Sequence, residues 1–189
     1  MTYDVISVKN LSKSFGGHIV LKNFSAQIPL CGVTVIRGAS GAGKTTLFRL
    51  LLGLEKPDAG EIVGMKKRIP AVVFQEDRLL PWTTALDNVA IGSNEARAEA
   101  ALSRLGLCES TCQLPRELSG GMKRRVAIAR ALAYGGDILF LDEPFTGLDE
   151  ENKRIAANAL LSANVPILVI THDDAEAELF GEYCEIVID

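Results

Sequence analysis

The 189-residue chain is short of the residues that mark several protein classes, holding two histidines, four cysteines and one tryptophan. Cys31, Cys108, Cys112 and Cys184 are too few and too scattered for a disulfide framework in a chain of this length. Cys108 and Cys112 fall at helical spacing, but no second ligand pair follows them, so no metal site is expected there. Long apolar runs are also missing. The most apolar stretches, Ile138 to Leu141 and Pro166 to Ile170, fall far short of the roughly 20 residues a bilayer-spanning helix needs. Met1 to Asn10 carries no secretory pattern, so a cytosolic protein is expected. An excess of positive charge is lacking too: 20 Lys and Arg against 24 Asp and Glu leave a net charge of -4, which gives no general attraction to a phosphate backbone. No nucleic-acid partner is expected.

Hydrophobic residues make up 48% of the chain, enough for a sizeable core, and the length suits one domain over residues 1–189. Short apolar, β-branched runs recur at Val5 to Val8, Phe24 to Ile28, Val33 to Arg37, Ala71 to Phe74, Ile138 to Leu141, Ile167 to Ile170 and Cys184 to Ile188, and read as strands. Helix-period segments run over Lys44 to Leu52, Glu95 to Leu105, Met122 to Ala133 and Glu151 to Leu161; the first three are followed by Gly53, Gly106 and Gly135, the expected stop signals. Gly16-Gly17 predicts a hairpin, so the early strands are expected to be antiparallel. Later strands alternate with helices, which predicts an α/β fold with a mostly parallel core sheet. Residues 83–133 break the alternation with several helical patterns and no convincing strand, and read as a helical subdomain inserted into the core.

Gly38-Ala39-Ser40-Gly41-Ala42-Gly43-Lys44-Thr45-Thr46 follows a predicted strand and opens a predicted helix, the context in which Gly-x4-Gly-Lys-Thr forms a phosphate-binding P-loop. Glycines let successive backbone N–H groups turn inward around an anion, and the helix N-terminus adds partial positive charge. Lys44 can reach β- and γ-phosphates, and the Thr45 hydroxyl is placed to ligate Mg²⁺. A hundred residues on, the apolar run Ile138 to Leu141 ends in Asp142-Glu143, two carboxylates at the carboxyl end of a buried strand, where α/β sheets bind ligands. Asp142 suits the metal through its water shell; Glu143 suits the water that attacks the γ-phosphate. His172 follows the strand Ile167 to Ile170 and is expected at the same sheet edge, within reach of the γ-phosphate.

Leu118-Ser119-Gly120-Gly121-Met122 leads into a helix bearing Lys123, Arg124 and Arg125. Basic residues in a helix's first turns oppose its dipole at about 0.3–1 kcal/mol each. A solvated basic face and an anionic partner at that end both fit. The segment resembles the signature motif of ABC ATPases, and the chain is similar to that family over nearly its whole length, with the motifs in order. The resemblance implies the P-loop NTPase fold of ABC ATPases, with a small N-terminal antiparallel β region. It implies that Phe15 stacks on adenine, that Gln75 is the Q-loop glutamine serving both metal and catalysis, that Asp149 closes a D-loop, and that His172 is the switch histidine. It also implies that Ser119, Gly120 and Gly121 cap ATP held by a second chain. ATP and Mg²⁺ are then the cofactors, and a second ABC ATPase chain, most simply an identical one, completes each site.

The sequence departs from the family pattern in four places. Met122 stands where glutamine is usual, Phe15 replaces the commoner tyrosine, Gly60 to Gln75 is a short connection that predicts a trimmed β-rich region, and the chain ends soon after the last strand, so no regulatory domain is expected. Gln75 to Ala90, including Leu79, Leu80, Pro81 and Trp82, looks like the same stretch of importer ATPases for nitrate, sulfonate and taurine. Leu79 to Trp82 either form a groove for a helix of a membrane permease or pack internally to anchor the loop. The resemblance implies an energy-coupling subunit on the cytoplasmic face of the membrane, working with integral permease subunits and, in an importer, a solute-binding protein. Two other readings are a soluble ABC ATPase acting on ribosomes or nucleic acid, and a nucleotide-binding regulator that no longer hydrolyses ATP.

Overall fold

The computed structural model describes residues 4–188. Met1 to Tyr3 and Asp189, which the 1–189 boundary and the reading of Met1 to Asn10 include, lie outside the described residues.

Two sheets form the molecule. A three-stranded sheet of order β2-β1-β4 joins β1 (Val5–Phe15), β2 (His18–Pro29) and β4 (Ala59–Val63), and both of its pairings are antiparallel. Gly16-Gly17 turns β1 into β2 with both φ angles positive, so the expected hairpin is present. The second sheet, of order β5-β6-β7-β3-β8, is wholly parallel and joins β5 (Pro70–Val73), β6 (Ile138–Asp142), β7 (Ile167–Ile170), β3 (Val33–Gly38) and β8 (Tyr183–Ile188). The first two strands are each much longer than the apolar runs Val5 to Val8 and Phe24 to Ile28, because register shifts between Val8 and Ser14 let polar segments stay paired.

The inner parallel strands β6, β7 and β3 are buried on both faces, and alternate side chains feed two separate cores. Leu139, Leu141, Ile167 and Val169 face one core with α2 (Ala85–Ala90), α3 (Glu95–Arg104), α4 (Gly120–Tyr134) and α5 (Glu150–Leu161). Ile138, Phe140, Leu168 and Ile170 face the other, with α1 (Lys44–Leu51) and the inner side chains Ile6, Val8, Leu11, Leu21 and Ile28 of the small sheet. Burying every side chain of β6 and β7 fixes where these strands end, and with that the position of the carboxylates and the histidine that follow.

Strand β4 was not expected. Its residues are almost all exposed, so no hydrophobic alternation marks it, and its second residue, Gly60, has φ 88°, where a Cβ would lie 2.4 Å from the carbonyl oxygen of Asn10. The β-rich region is therefore a three-stranded sheet in spite of the short connection after Gly60. Between β5 and β6 no strand occurs; α2, α3, two short 3₁₀ turns at Cys108–Ser110 and Pro115–Glu117, and α4 fill the interval. Helix α4 starts at Gly120, two residues before the expected Met122, because Ser119 caps it by accepting a hydrogen bond from the Met122 N–H at 3.2 Å. A five-residue helix, α6 (Asp174–Glu178), follows β7 and was also not foreseen.

Candidate functional site

The turn between β3 and α1 carries the phosphate-binding candidates. Gly43 is the N-cap of α1 in a left-handed conformation, with no side chain bonded to the first amides and no acidic residue in the first turn. The helix N-terminus is thus left free for an external anion. A Cβ on Gly43 would stand 3.1 Å from the Val20 carbonyl oxygen, so only glycine fits against β2 at that φ of 96°. The Lys44 ammonium donates to the carbonyl oxygens of Gly38 and Ala39 at 2.7 and 2.9 Å, which folds its side chain back along the turn.

A cavity of about 310 Å³ opens beside this turn, lined by Ser40, Gly41, Gly43, Lys44, Thr45 and Thr46 from the loop and by Gln75, Asp142 and Glu143 from the ends of β5 and β6. The Thr45 hydroxyl donates to Asp142 Oδ2 at 2.9 Å, bridging α1 to β6. Asp142 is 4% exposed, and burial pushes its carboxyl above the usual aspartate range against the opposing pull of the Thr45 hydrogen bond. Glu143 stands at φ 49° in the left-handed region, a conformation that costs a non-glycine residue about 1–3 kcal/mol and persists only where surrounding contacts hold it. Its N–H donates to the Ile170 carbonyl at 2.9 Å, which ties it to the end of β7.

That tie brings His172 alongside, with its Nδ1 2.9 Å from Glu143 Oε1. The hydrogen bond and then the negative charge of Glu143 raise the imidazole above its ordinary value of 6.5. A raised folded-state value means that folding favours the protonated ring, so this contribution to stability is full below 6.5 and fades as pH rises through the raised value. The ring is exposed, which keeps the contribution small. An NMR titration of the His172 ring is expected to give a midpoint above 6.5 in the nucleotide-free chain and a lower one in Glu143→Gln; equal midpoints would contradict the pairing. Thr171 is positioned from behind, its hydroxyl donating to Glu176 Oε2 at 2.8 Å while Glu176 Oε1 pairs with Lys153 of α5 at 3.2 Å.

Other candidates lie apart from the cavity. Phe15 is 43% exposed at the end of β1, with the Lys13 ammonium 5.0 Å from its ring centroid. Ser119, Gly120 and Gly121 form the N-terminal turn of α4 and do not line the cavity. Asp149 caps α5, accepting from the Asn152 N–H at 2.8 Å. Met122 packs partly buried against the core, so its side chain is used for packing. Among the described residues no group of three His, Cys, Asp or Glu could hold a metal by itself, and Cys108 and Cys112 are exposed.

One sequence reading needs correction. Arg124 belongs neither to a solvated basic face nor to an anionic partner of the α4 terminus: it is 2% exposed and its guanidinium is bonded inside the chain. Nε donates to the Pro144 carbonyl at 2.9 Å, Nη2 to those of Asp142 and Glu143 at 2.8 and 2.6 Å, and Nη1 to that of Phe74 at 2.6 Å and more weakly to that of Gln75 at 3.3 Å. Arg125 likewise turns inward, to the Leu105 carbonyl at 2.8 Å. A basic residue buried by tertiary contact leaves no one-dimensional mark. The stretch Leu79 to Trp82 divides between its two readings: Leu79 packs against the core, whereas Leu80 and Trp82 are exposed, Trp82 by 73%. Buried Asn88 holds this loop, accepting from the Leu80 N–H at 2.7 Å and donating to the Leu80, Thr83 and Thr84 carbonyls. Val20, which lines the cavity from β2, was not singled out and carries no sequence signal beyond its place in a strand.

Comparison with known proteins agrees with this geometry. A family model described as ABC transporter matches residues 21–146. The aliphatic sulfonates import ATP-binding protein SsuB of Rhodopseudomonas palustris is 40% identical over 97% of this chain and 71% of its own length. The protein of the same name from Corynebacterium glutamicum is 40% identical over 97% of this chain and 80% of its own length. Among solved structures, a dimeric post-hydrolysis state of an ATP-binding cassette bound to ADP and Pi superposes with a TM-score of 0.82 at 29% identity, covering 96% of each chain. With its two-sheet α/β architecture and its P-loop, the chain belongs to the ABC transporter family as an ATP-binding cassette.

Proposed function

We propose that this chain is the ATP-hydrolysing subunit of an importer, in which ATP closes two cassettes against each other and the motion is passed to a membrane permease. The observation that carries the reading is the meeting of three elements at one cavity, the P-loop turn, Gln75 after β5, and Asp142 and Glu143 at the end of β6, with His172 after β7 joined to them through its bond to Glu143. The triphosphate lies in the turn. There Lys44 exchanges the Gly38 and Ala39 carbonyls for phosphate oxygens, and the free N-terminal amides of α1 meet the negative charge.

Thr45 Oγ1 and Asp142 Oδ2, 2.9 Å apart with Gln75 on the same cavity, are hard oxygen donors of the kind Mg²⁺ takes. One carboxylate with neutral oxygens, rather than a cage of acids, suits an ion that keeps its waters and shares phosphate oxygens. Bound there, Mg²⁺ would offset the charge on the β- and γ-phosphates. Glu143 takes a proton from water as the water's oxygen attacks the γ-phosphorus, and the β–γ bridging oxygen leaves with ADP. His172 exchanges its bond to Glu143 for one to the γ-phosphate, which frees the carboxylate to act as base. Phe15 offers its π-face to adenine. Ser119, Gly120 and Gly121 reach the nucleotide of the second cassette.

The relatives named for aliphatic sulfonate import support an import role and a small anionic solute, with selectivity residing in permease and solute-binding subunits. No helix among the described residues is long and apolar enough to cross a membrane, which fits a subunit held peripherally on the cytoplasmic face by its partners. Affinity purification of the tagged chain from detergent-solubilised membranes is expected to recover an integral permease and, with ATP, steady phosphate release. Recovery with ribosomes or nucleic acid and no permease would favour a soluble ABC ATPase instead.

A further inference from the structure

We propose that Arg124 is a positioning residue that sets the hydrolytic geometry by fastening the ends of β5 and β6 to helix α4. The proposal rests on the hydrolytic reading of Glu143 and adds to it a residue outside the motifs. The observation is the distribution of its bonds. One buried guanidinium donates to the carbonyls of Asp142, Glu143 and Pro144 at the end of β6, and to those of Phe74 and Gln75 after β5. A charge pair to Asp77 Oδ1 at 3.2 Å completes the set.

The bonds fall where the backbone needs them. Glu143 is in the left-handed region, and its carbonyl is held by Nη2 at 2.6 Å, among the closest of the Arg124 contacts. Without that donor, the Glu143 carbonyl keeps the longer Thr146 N–H and Oγ1 contacts at 3.3 and 3.1 Å, the carbonyls of Asp142 and Pro144 lose their Arg124 bonds, and the turn can relax toward ordinary φ, swinging the carboxylate away from His172. Gln75 is held in the same way, since Arg124 takes its carbonyl and that of Phe74, while Arg130, also on α4, donates to the Asp77 and Arg78 carbonyls at 2.7 and 2.9 Å. A planar fork with five N–H donors can serve several carbonyls in one plane; a lysine ammonium of similar charge has three donors and no fork. Arg124 also lies five residues after Ser119 on one unbroken structural path, so the turn proposed to meet the partner's nucleotide is joined by a single helix start to the base acting on its own.

The test compares wild type, Arg124→Gln and Arg124→Lys by phosphate release, nucleotide affinity and hydrogen exchange. A shift of a catalytic group by about 1 Å costs about 10²-fold in rate. Arg124→Gln is therefore expected to lower kcat about 10²-fold with KM within about twofold of wild type, the mark of a group needed only in the transition state. Exchange should speed up at the Glu143 amide, bonded to the Ile170 carbonyl, and at the Thr146 amide, bonded to the Glu143 carbonyl, and stay unchanged at Leu47 in α1. Arg124→Lys should recover only part of the rate. Three results would overturn the proposal: kcat within threefold of wild type in Arg124→Gln, full recovery by Lys, or loss of protection at Leu47 in step with nucleotide affinity, which would mark general unfolding. If wild type itself releases no phosphate, the hydrolytic reading falls, and the exchange at Glu143 and Thr146 still decides whether Arg124 holds this turn.

Discussion

Glu143→Gln is expected to lower phosphate release by about 10²–10⁴-fold while ATP still binds, because glutamine fills the same space but cannot accept a proton from water. The exchange leaves the rest of the site in place. The Glu143 backbone is fixed by its N–H bond to Ile170 and by Arg124, neither of which involves the carboxylate. A glutamine oxygen can still accept from His172 Nδ1 when that nitrogen carries its proton. The ATP-bound state should therefore accumulate, since the step that discharges it is blocked while the interactions that form it are intact. Single-turnover phosphate release with an independent ATP-binding measurement checks both halves; a variant with wild-type turnover would remove Glu143 from the reaction.

Lys44→Ala acts at the preceding stage and is expected to weaken ATP binding by about 10²–10⁴-fold. Hydrogen bonds to charged groups contribute about 1.5–3 kcal/mol each, and the ammonium has two carbonyl partners to exchange for two phosphate oxygens. The fold should be little affected, because Ala39 is exposed and Gly38 only half-buried, so water can replace the lysine at their carbonyls. Titration calorimetry with ATP, beside a thermal melt of the nucleotide-free protein, measures the effect. Wild-type affinity in the variant would contradict a phosphate-binding role, whereas a large fall in Tm would place Lys44 in the fold.

These two residues belong to the part of the molecule that sequence spells out. The P-loop is local: glycines, lysine and threonine act within nine residues, so spacing alone conveys the turn and the helix after it. The carboxylates were legible for a related reason, since a run of four apolar residues ending in Asp142-Glu143 can hardly be other than a buried strand delivering them to an edge. The Glu143–His172 contact was half legible; spacing brought both to one sheet edge, but the 2.9 Å bond depends on strands β6 and β7 being neighbours in register. Arg124 was misread because its neighbours in the chain are basic and its partners are carbonyls 18 to 50 residues away, which have no letter in the sequence. Strand β4 escaped for the opposite reason: edge position leaves its side chains in water, so pairing with β1 imposes no hydrophobic pattern. Where the fold relies on alternation or turn chemistry the sequence is readable, and where it relies on backbone groups meeting across space it is not.

The central claim is that ATP draws two of these chains together, with the Ser119 turn of each completing the cavity of the other. Sedimentation velocity of Glu143→Gln tests it most directly, run without nucleotide, with ADP and with saturating ATP. The account predicts a 20.3 kDa monomer in the first two conditions and a species of about twice that mass with ATP, lost again in Glu143→Gln carrying Ser119→Arg. A monomer at saturating ATP, in a variant shown to bind it, with or without membrane partners, would contradict the sandwich.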